Sequence, residues 1–417
     1  GAILVCVIAI VLRVMLDKIT SAILVFPTLP DEKREEIQKL LHSSKMSTDN
    51  SNTNVDLAAL LPEQIEEFHS RGFTVLRGAV DTDTLKAIRI SINHVMMNPN
   101  GMLKGAKSGF FCGFSLHNHF LFPEWRQIAY NNLPSVTGAA ADLLSAQDGE
   151  VVYADDILHS SSPACVGENV GNAHSDQNQA PFSIERNNNF GDNMVVAWIA
   201  VDSLDDLITM EVFENTHNAF DKNITSGFTA SKNDTRPDWN QKKYCEWWAD
   251  VDDHKRCISV NDTTKKDDGS YYRPHQVRLN AGDVALFQGL TFHRVIKSSN
   301  CTLETCRRVT IRYVNGENTR WRTDVAGSIW PYISERQKPG ELIKNDMAVV
   351  SARKGLVSAP NPSSFSATDI ILPSRLSWVY FFSHILASKL SPKKKDAPSL
   401  ISKIINQCPH RANKVRS

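Results

Sequence analysis

"AGDVALFQGLTFHRV" (residues 281–295) packs a turn, a strand, a short loop and a histidine into one segment. Asn280-Ala281-Gly282-Asp283 has the composition of a tight turn, because Gly tolerates positive φ and Asn and Asp bond to nearby backbone. Val284 to Phe287 is a short apolar run bounded by turn residues, which predicts a strand. The same pattern recurs through the middle of the chain: "EVVYADDIL" (150–158), "NMVVAWIAVD" (193–202), "ITMEVFENT" (208–216), "HQVRLNAGDVALFQ" (275–288) and "RRVTIRYV" (307–314). Short β-branched and aromatic strands separated by turns predict an antiparallel sandwich or barrel.

Outward from this β region, the flanks differ. "LPEQIEEFHSRGF" (61–73) predicts a helix, with Pro62 in its first turn and Gly72 at its end. "FTVLRGAV" (73–80) reads as a strand. The helix that follows starts at Asp81 or Thr82, and Leu85, Ile88, Ile92 and Val95 repeat at helical spacing. Residues 43–54, "SSKMSTDNSNTN", lack any apolar period, and 31–58 as a whole reads as a linker. Residues 219–274 form a long polar insertion carrying Trp239, Trp247 and Trp248, of the kind that serves as a lid or binding loop. After Val314 the pattern weakens. "LSWVYFFSHILASKL" (376–390) reads as an apolar helix that packs on the core or lies at an interface. The expected division is an apolar N-terminal segment (1–30), the linker, a β domain over 59–325, and an extension over 326–417.

The composition is that of a globular protein, 41% hydrophobic and 22% charged, and its 46 basic and 46 acidic residues cancel. No basic patch interleaves with aromatics, so nucleic acid is not an expected partner. The opening "GAILVCVIAIVLRVMLDKITSAILVF" fits the tail of a signal anchor, the core of a signal peptide, or a buried or surface helix. A membrane-anchored or lumenal protein and a cytoplasmic one therefore both stay open. Sequons at Asn223, Asn233, Asn261 and Asn300 cluster beside two close cysteine pairs, Cys245 with Cys257 and Cys301 with Cys306. In a secretory compartment these pairs could be disulfides.

"AHSDQNQAPF" (173–182) sets His174 and Asp176 two residues apart. On a strand that spacing aims both side chains at one side. With 13 His and 46 acidic residues in 417, roughly one such triplet is expected by chance, so the motif needs partners. A facial Fe(II) site needs a second histidine from elsewhere. Downstream candidates are His217, His254, His275, His293, His384 and His410, and the strand context singles out His293. Fifteen residues beyond it, Arg308, Thr310 and Arg312 share one face of a strand. A buried arginine beside a hydroxyl suits a carboxylate ligand. His217 reads as a turn residue, and Trp198 as core. Asp155 and Asp156 could support a site or serve as loop and cap residues, while His117 and His119 could line a pocket or sit satisfied near the core.

From about residue 63 to 315 the sequence resembles the phytanoyl-CoA dioxygenase family. The likeness rests on "RGFTVLRGAVDTDTLKAIRISI", "AHSDQNQAPF", "VVAWIAVDSLDDLITMEVFENTHN", "AGDVALFQGLTFHRV" and "RRVTIRYV". It implies a mainly β fold with flanking helices (α+β), built on a double-stranded β-helix, or jelly roll, of the cupin type. It also implies a 2-oxoglutarate-dependent dioxygenase with Fe(II) held by His174, Asp176 and His293. The 2-oxoglutarate would be held by Arg308 with Thr310, and O₂ would be the second co-substrate. Oxidative decarboxylation to succinate and CO₂ would drive hydroxylation of a small-molecule or lipid-like substrate. Halogenating relatives replace the carboxylate ligand, so Asp176 favours hydroxylation.

The sequence departs from the family in two places. The loop "SSNCTLETC" lengthens the path to the arginine and sets Arg307 against Arg308. Arg308 is preferred because it shares a face with Thr310. "DDILHSSSPA" carries His159, Ser160 and Ser161 where the family often has lysine, so a CoA-thioester substrate does not follow from the likeness. The competing readings are a non-catalytic jelly-roll binding or scaffold protein, and a membrane-anchored lumenal glycoprotein. Convergence of His174, Asp176 and His293 separates the enzyme from the scaffold, and unoccupied sequons with reduced cysteines would count against the glycoprotein.

Overall fold

In the computed structural model, Asp81 caps the helix it precedes: its Oδ1 accepts from the backbone N–H groups of Asp83 and Thr84, each at 2.9 Å. The structure describes residues 29–49, 60–97, 114–116, 118–146, 150–160, 169–170, 176, 194–204, 207–219, 274–302, 304–317, 319, 342–343, 348–351 and 355–358. The helices are α1 (Asp31–Asp49), α2 (Pro62–Arg71), α3 (Thr82–Met97), α4 (Asn118–Leu121), α5 (Pro123–Asn131) and α6 (Pro134–Leu143). The strands are β1 (Phe73–Leu76), β2 (Phe114–Leu116), β3 (Glu150–His159), β4 (Asn169–Val170), β5 (Met194–Ala200) and β6 (Ile208–Phe213). They continue with β7 (Pro274–Val277), β8 (Val284–Gln288), β9 (His293–Lys297), β10 (Arg308–Val314), β11 (Ala348–Ser351) and β12 (Gly355–Ser358).

Every strand pairing among the described residues is antiparallel. One sheet runs β1-β8-β5-β10-β3-β11-β12, with β2 also on β3, and the other runs β4-β9-β6-β7. From β3 to β10 the chain passes back and forth between the two sheets. The opening quotation lies at one of these passages: Val284 to Gln288 belongs to the large sheet, and His293 opens a strand of the small one. The turn ahead of it closes with Asp283 N–H on Asn280 O at 3.0 Å, and Gly282 takes φ +91°.

Alternation along the strands divides the core in two. Val195, Ala197, Ile199, Leu286, Val309 and Ile311 face the helices, where Ile88, Ile92, Trp125 and Ile128 meet them. Val196, Trp198, Ala285 and Phe287 face the small sheet, against Met210 and Val212. The predicted stripe of α3 is buried throughout, at Leu85, Ile88, Ile92 and Val95. Burying each such side chain fully stabilises by about 1.5–3 kcal/mol.

Two segments differ from expectation. The expected linker begins as helix α1, because Ile37 and Leu41, one turn apart, are buried in the helical core. The weakly patterned region after Val314 contributes the hairpin β11–β12, which extends the large sheet beyond β3. Cys301 and Cys306 form a disulfide across the β9–β10 loop. Among the described residues no helix is long and apolar enough to cross a membrane. Residues 1–28, Cys245, Cys257, most of the 219–274 insertion and the 376–390 segment lie outside the described residues.

Gly72 ends α2 at φ +90°, in the left-handed region. A Cβ there would fall 2.4 Å from His217 Nδ1 and 2.5 Å from Thr291 Oγ1. Gly72→Ala should therefore lose about 2–4 kcal/mol, from the left-handed penalty plus forced repacking. Urea denaturation would measure it, and a loss under 1 kcal/mol would mean that the turn shifts to make room.

Candidate active site

The register of β10 builds the site. Arg308, Thr310 and Arg312 stand opposite His159, Ile157 and Asp155 on β3, and opposite Ala200, Trp198 and Val196 on β5. All three β10 side chains therefore point toward the small sheet. From that sheet His293 enters, its ring 4.4 Å from the ring of Phe287 by centroids.

His293 Nδ1 lies 3.2 Å from Thr291 O, a carbonyl that can only accept. That contact assigns the proton to Nδ1 and gives Nε2 a lone pair. Nε2 faces Asp176 Oδ1 at 3.9 Å. That separation is one a single bound cation could bridge. Asp176 Oδ2 accepts from Arg312 Nε at 3.0 Å, and Arg312 Nη1 also donates to Asp155. Arg312, Asp155 and Asp176 are all buried. Burial opposes the charge on Arg312, but Asp176 and Asp155 outweigh it and raise its pKa.

Arg308 differs from Arg312. It is half-buried, and its Nε is buried without a hydrogen-bond partner. Nη1 reaches the Cys306 carbonyl at 3.4 Å, and Cζ lies 5.8 Å from the Trp198 ring centre. Among the described residues no carboxylate pairs with it. Burial pulls its pKa down to about 10. Lys297 on β9 is close enough for the Arg308 charge to add to burial in lowering its pKa. Arg307, the competing arginine, is already engaged: Nε and Nη2 bond Asp202 at 2.8 and 2.9 Å, and Nη1 reaches Asn93 at 3.2 Å.

His159 is a site residue that sequence reasoning passed over as a mere departure. Its Nε2 is 3.2 Å from Thr310 Oγ1. Burial, then the charges of Arg308 and Arg312, push its pKa well below the ordinary value, against a smaller pull from Asp176. A neutral imidazole thus sits amid both arginines and the carboxylate. The signal was its i, i+4 placement after Asp155 on one strand face, which needed the β3–β10 register to become meaningful.

Other candidates separate clearly. His174 and His117 lie outside the described residues, as do His254, His384 and His410. Among the described residues no group of three His, Cys, Asp or Glu is placed to hold a metal. His217 lies in the turn Thr216–Ala219, with Nε2 on His69 O at 2.9 Å, and burial lowers its pKa to about 4. His275 is on β7 beside Arg71 and Glu214. His119 is bound to Asp156 on the helical side of β3, away from the site. Trp198 packs in the inner core and also walls the site beside Arg308.

No protein-family model matches the chain, and no curated protein matches it. Solved structures similar to it include the non-heme alpha-ketoglutarate-dependent epimerase SnoN of nogalamycin biosynthesis. That likeness has 13% identity and a TM-score of 0.48, over 72% of this chain and 98% of SnoN. The carbocyclase SnoK of the same biosynthesis gives 14% and 0.48, over 70% and 97%. EctD from S. alaskensis, solved with 2-oxoglutarate and 5-hydroxyectoine, gives 14% and 0.39, over 74% and 88%.

Proposed function

We propose that this chain is an Fe(II)- and 2-oxoglutarate-dependent dioxygenase that hydroxylates a C–H bond of a small-molecule or lipid-like substrate. The carrying observation is that His293 and Asp176 face each other beside a guanidinium that pairs with no carboxylate among the described residues. His293 Nε2 and Asp176 Oδ1 face each other at 3.9 Å, and Arg308 lies along the same face. The strand alternation from β3 to β10, in two four-strand sets, supports a double-stranded β-helix as the frame. The oxygenase unit is assigned to residues 59–325, with membrane or signal function assigned to the N-terminal segment. The Cys301–Cys306 disulfide supports a secretory-pathway lumen as its location.

The donor set fits the metal. Divalent transition ions bind nitrogen and oxygen at about 2.0–2.2 Å, so one ion can touch both His293 and Asp176. A histidine, a carboxylate and His174 as third ligand form the 2-His-1-carboxylate set that suits Fe(II). Such a centre supplies the coupling of 2-oxoglutarate decarboxylation, giving succinate and CO₂, to insertion of an oxygen atom from O₂ into a C–H bond. The chain's own residues do the rest. Arg308 binds the far carboxylate of 2-oxoglutarate, and the Thr310 hydroxyl fixes its orientation. His159 stays neutral, so it adds no third positive charge beside the two arginines. Trp198 and Phe287 keep water from the inner face.

Anaerobic titration of the purified full chain tests the reading. Fe(II) should strengthen 2-oxoglutarate binding, and admission of O₂ should release succinate and CO₂ in equal amounts. His174→Ala should abolish that release while the thermal midpoint stays within a few degrees. Binding of 2-oxoglutarate that ignores Fe(II), or turnover that survives His174→Ala, would overturn the proposal.

A further inference from the structure

Asp176 stands outside both sheets, so something must hold its carboxylate. We propose that Arg312, anchored by Asp155, is a positioning residue that orients Asp176 for the metal, an inference that rests on the function proposed above. Arg312 lies inside the large sheet, paired on both sides, with Asp155 opposite it on β3 and Val196 opposite it on β5. The β3–β10 register shifts between Arg312 and Tyr313. The shift makes room for one extra residue of β3, Ala154, and puts Asp155 in line with Arg312. Bulges of this kind commonly re-aim a side chain beside an active site.

The guanidinium then works as a two-sided bracket. Nη1 is held by Asp155 Oδ2, and Nε donates to Asp176 Oδ2 at 3.0 Å. With Oδ2 occupied, Oδ1 is the oxygen turned toward His293. A planar fork can bridge two carboxylates in fixed directions, whereas a lysine ammonium cannot. Charge gives Asp155 its second role. One guanidinium between two carboxylates leaves the trio at net −1, so Arg312 does not fully neutralise the carboxylates it joins. Had Arg312 met Asp176 alone, the pair would be neutral.

Cobalt(II) is the probe, because its d–d absorption reports ligand geometry without turnover. The full chain is titrated with Co(II) in the absence of 2-oxoglutarate, in wild type, Arg312→Lys, Arg312→Gln and Asp155→Asn. Outer partners of metal ligands typically contribute about 10–100-fold in affinity. Arg312→Lys and Arg312→Gln should weaken Co(II) by such a factor and shift the d–d band. Asp155→Asn, which keeps the shape, should weaken it about tenfold. Circular dichroism and thermal midpoints identify any variant that does not fold, and the isosteric Asp155→Asn then carries the decision. Wild-type Co(II) binding with unchanged affinity and spectrum in Asp155→Asn and the folded Arg312 variants overturns the bracket alone. Full rescue by lysine overturns the fork, since charge would suffice. Failure of wild type to bind Co(II) removes the proposed function, and the bracket with it.

Discussion

Asp156→Ala should cost about 3–5 kcal/mol of stability, the usual result of removing one member of a buried charged pair. The carboxylate is fully buried, and donors surround it. The Asn118 backbone N–H lies at 2.8 Å, Asn118 Nδ2 at 2.9 Å, the His119 backbone N–H at 3.0 Å and Tyr153 O–H at 3.3 Å, with His119 Nδ1 closer still. Each buried donor left unpaired adds a penalty of about 1–3 kcal/mol. Burial by itself would raise the Asp156 pKa. The attraction of His119 and the hydrogen bonds from His119 and Asn118 outweigh it and hold the value at about 2. A depressed carboxylate pKa contributes stability that is complete above its ordinary value of 3.8 and lost as pH falls through about 2. The gap between wild type and Asp156→Ala should therefore be full at neutral pH and narrow by about 2 kcal/mol between pH 4 and 2. Urea denaturation across that range measures it. A gap under 1 kcal/mol at pH 7, or one that does not shrink in acid, would refute the account.

The neighbouring aspartate shows what a sequence can and cannot disclose. Asp155 and Asp156 are chemically alike and adjacent, and alternation predicts opposite faces without saying which is inner. The answer lies in the β3–β10 register and its bulge, which depend on pairing across roughly 150 residues of chain. Strands β1, β3, β5, β6, β7, β8 and β10 were readable, because β-branched runs between turn residues mark them locally, whereas β2, β4, β11 and β12 were not. So were the α3 stripe and the Asp81 cap. Helix α1 was not, although Ile37 and Leu41 carry helical spacing, because most of its surface is charged and polar. For the site, order along the chain pointed to Asp176, His293 and Arg308. It could not show that His159 meets Thr310, or that Arg312 spans two carboxylates. Those contacts exist only once the strands are in register.

Arg308→Met should raise the dissociation constant for 2-oxoglutarate about 30-fold or more, while Arg307→Met leaves it within about threefold. Truncating one partner of a buried, hydrogen-bonded charge pair costs about 2–5 kcal/mol, and each 1.4 kcal/mol is tenfold. The two are neighbours in sequence, Arg307 just before β10 and Arg308 its first residue, which makes the comparison sharp. Arg307 is turned the other way and forks Asp202, where Arg89 also binds at 3.1 Å, so its loss should loosen the join between α3 and the sheet. Arg307→Met should therefore lower the denaturation midpoint. Arg308→Met should not, because no carboxylate among the described residues pairs with its guanidinium, and burial already disfavours its charge. The two variants should thus separate, one losing stability and keeping ligand, the other losing ligand and keeping or gaining stability. Calorimetric titration with Mn(II) in place of iron, beside thermal melts of the ligand-free proteins, reads both quantities. Two results would break the assignment: weaker 2-oxoglutarate binding in Arg307→Met, or a destabilised but ligand-competent Arg308→Met. Either would mean that the cation awaiting a carboxylate on the inner face is not Arg308.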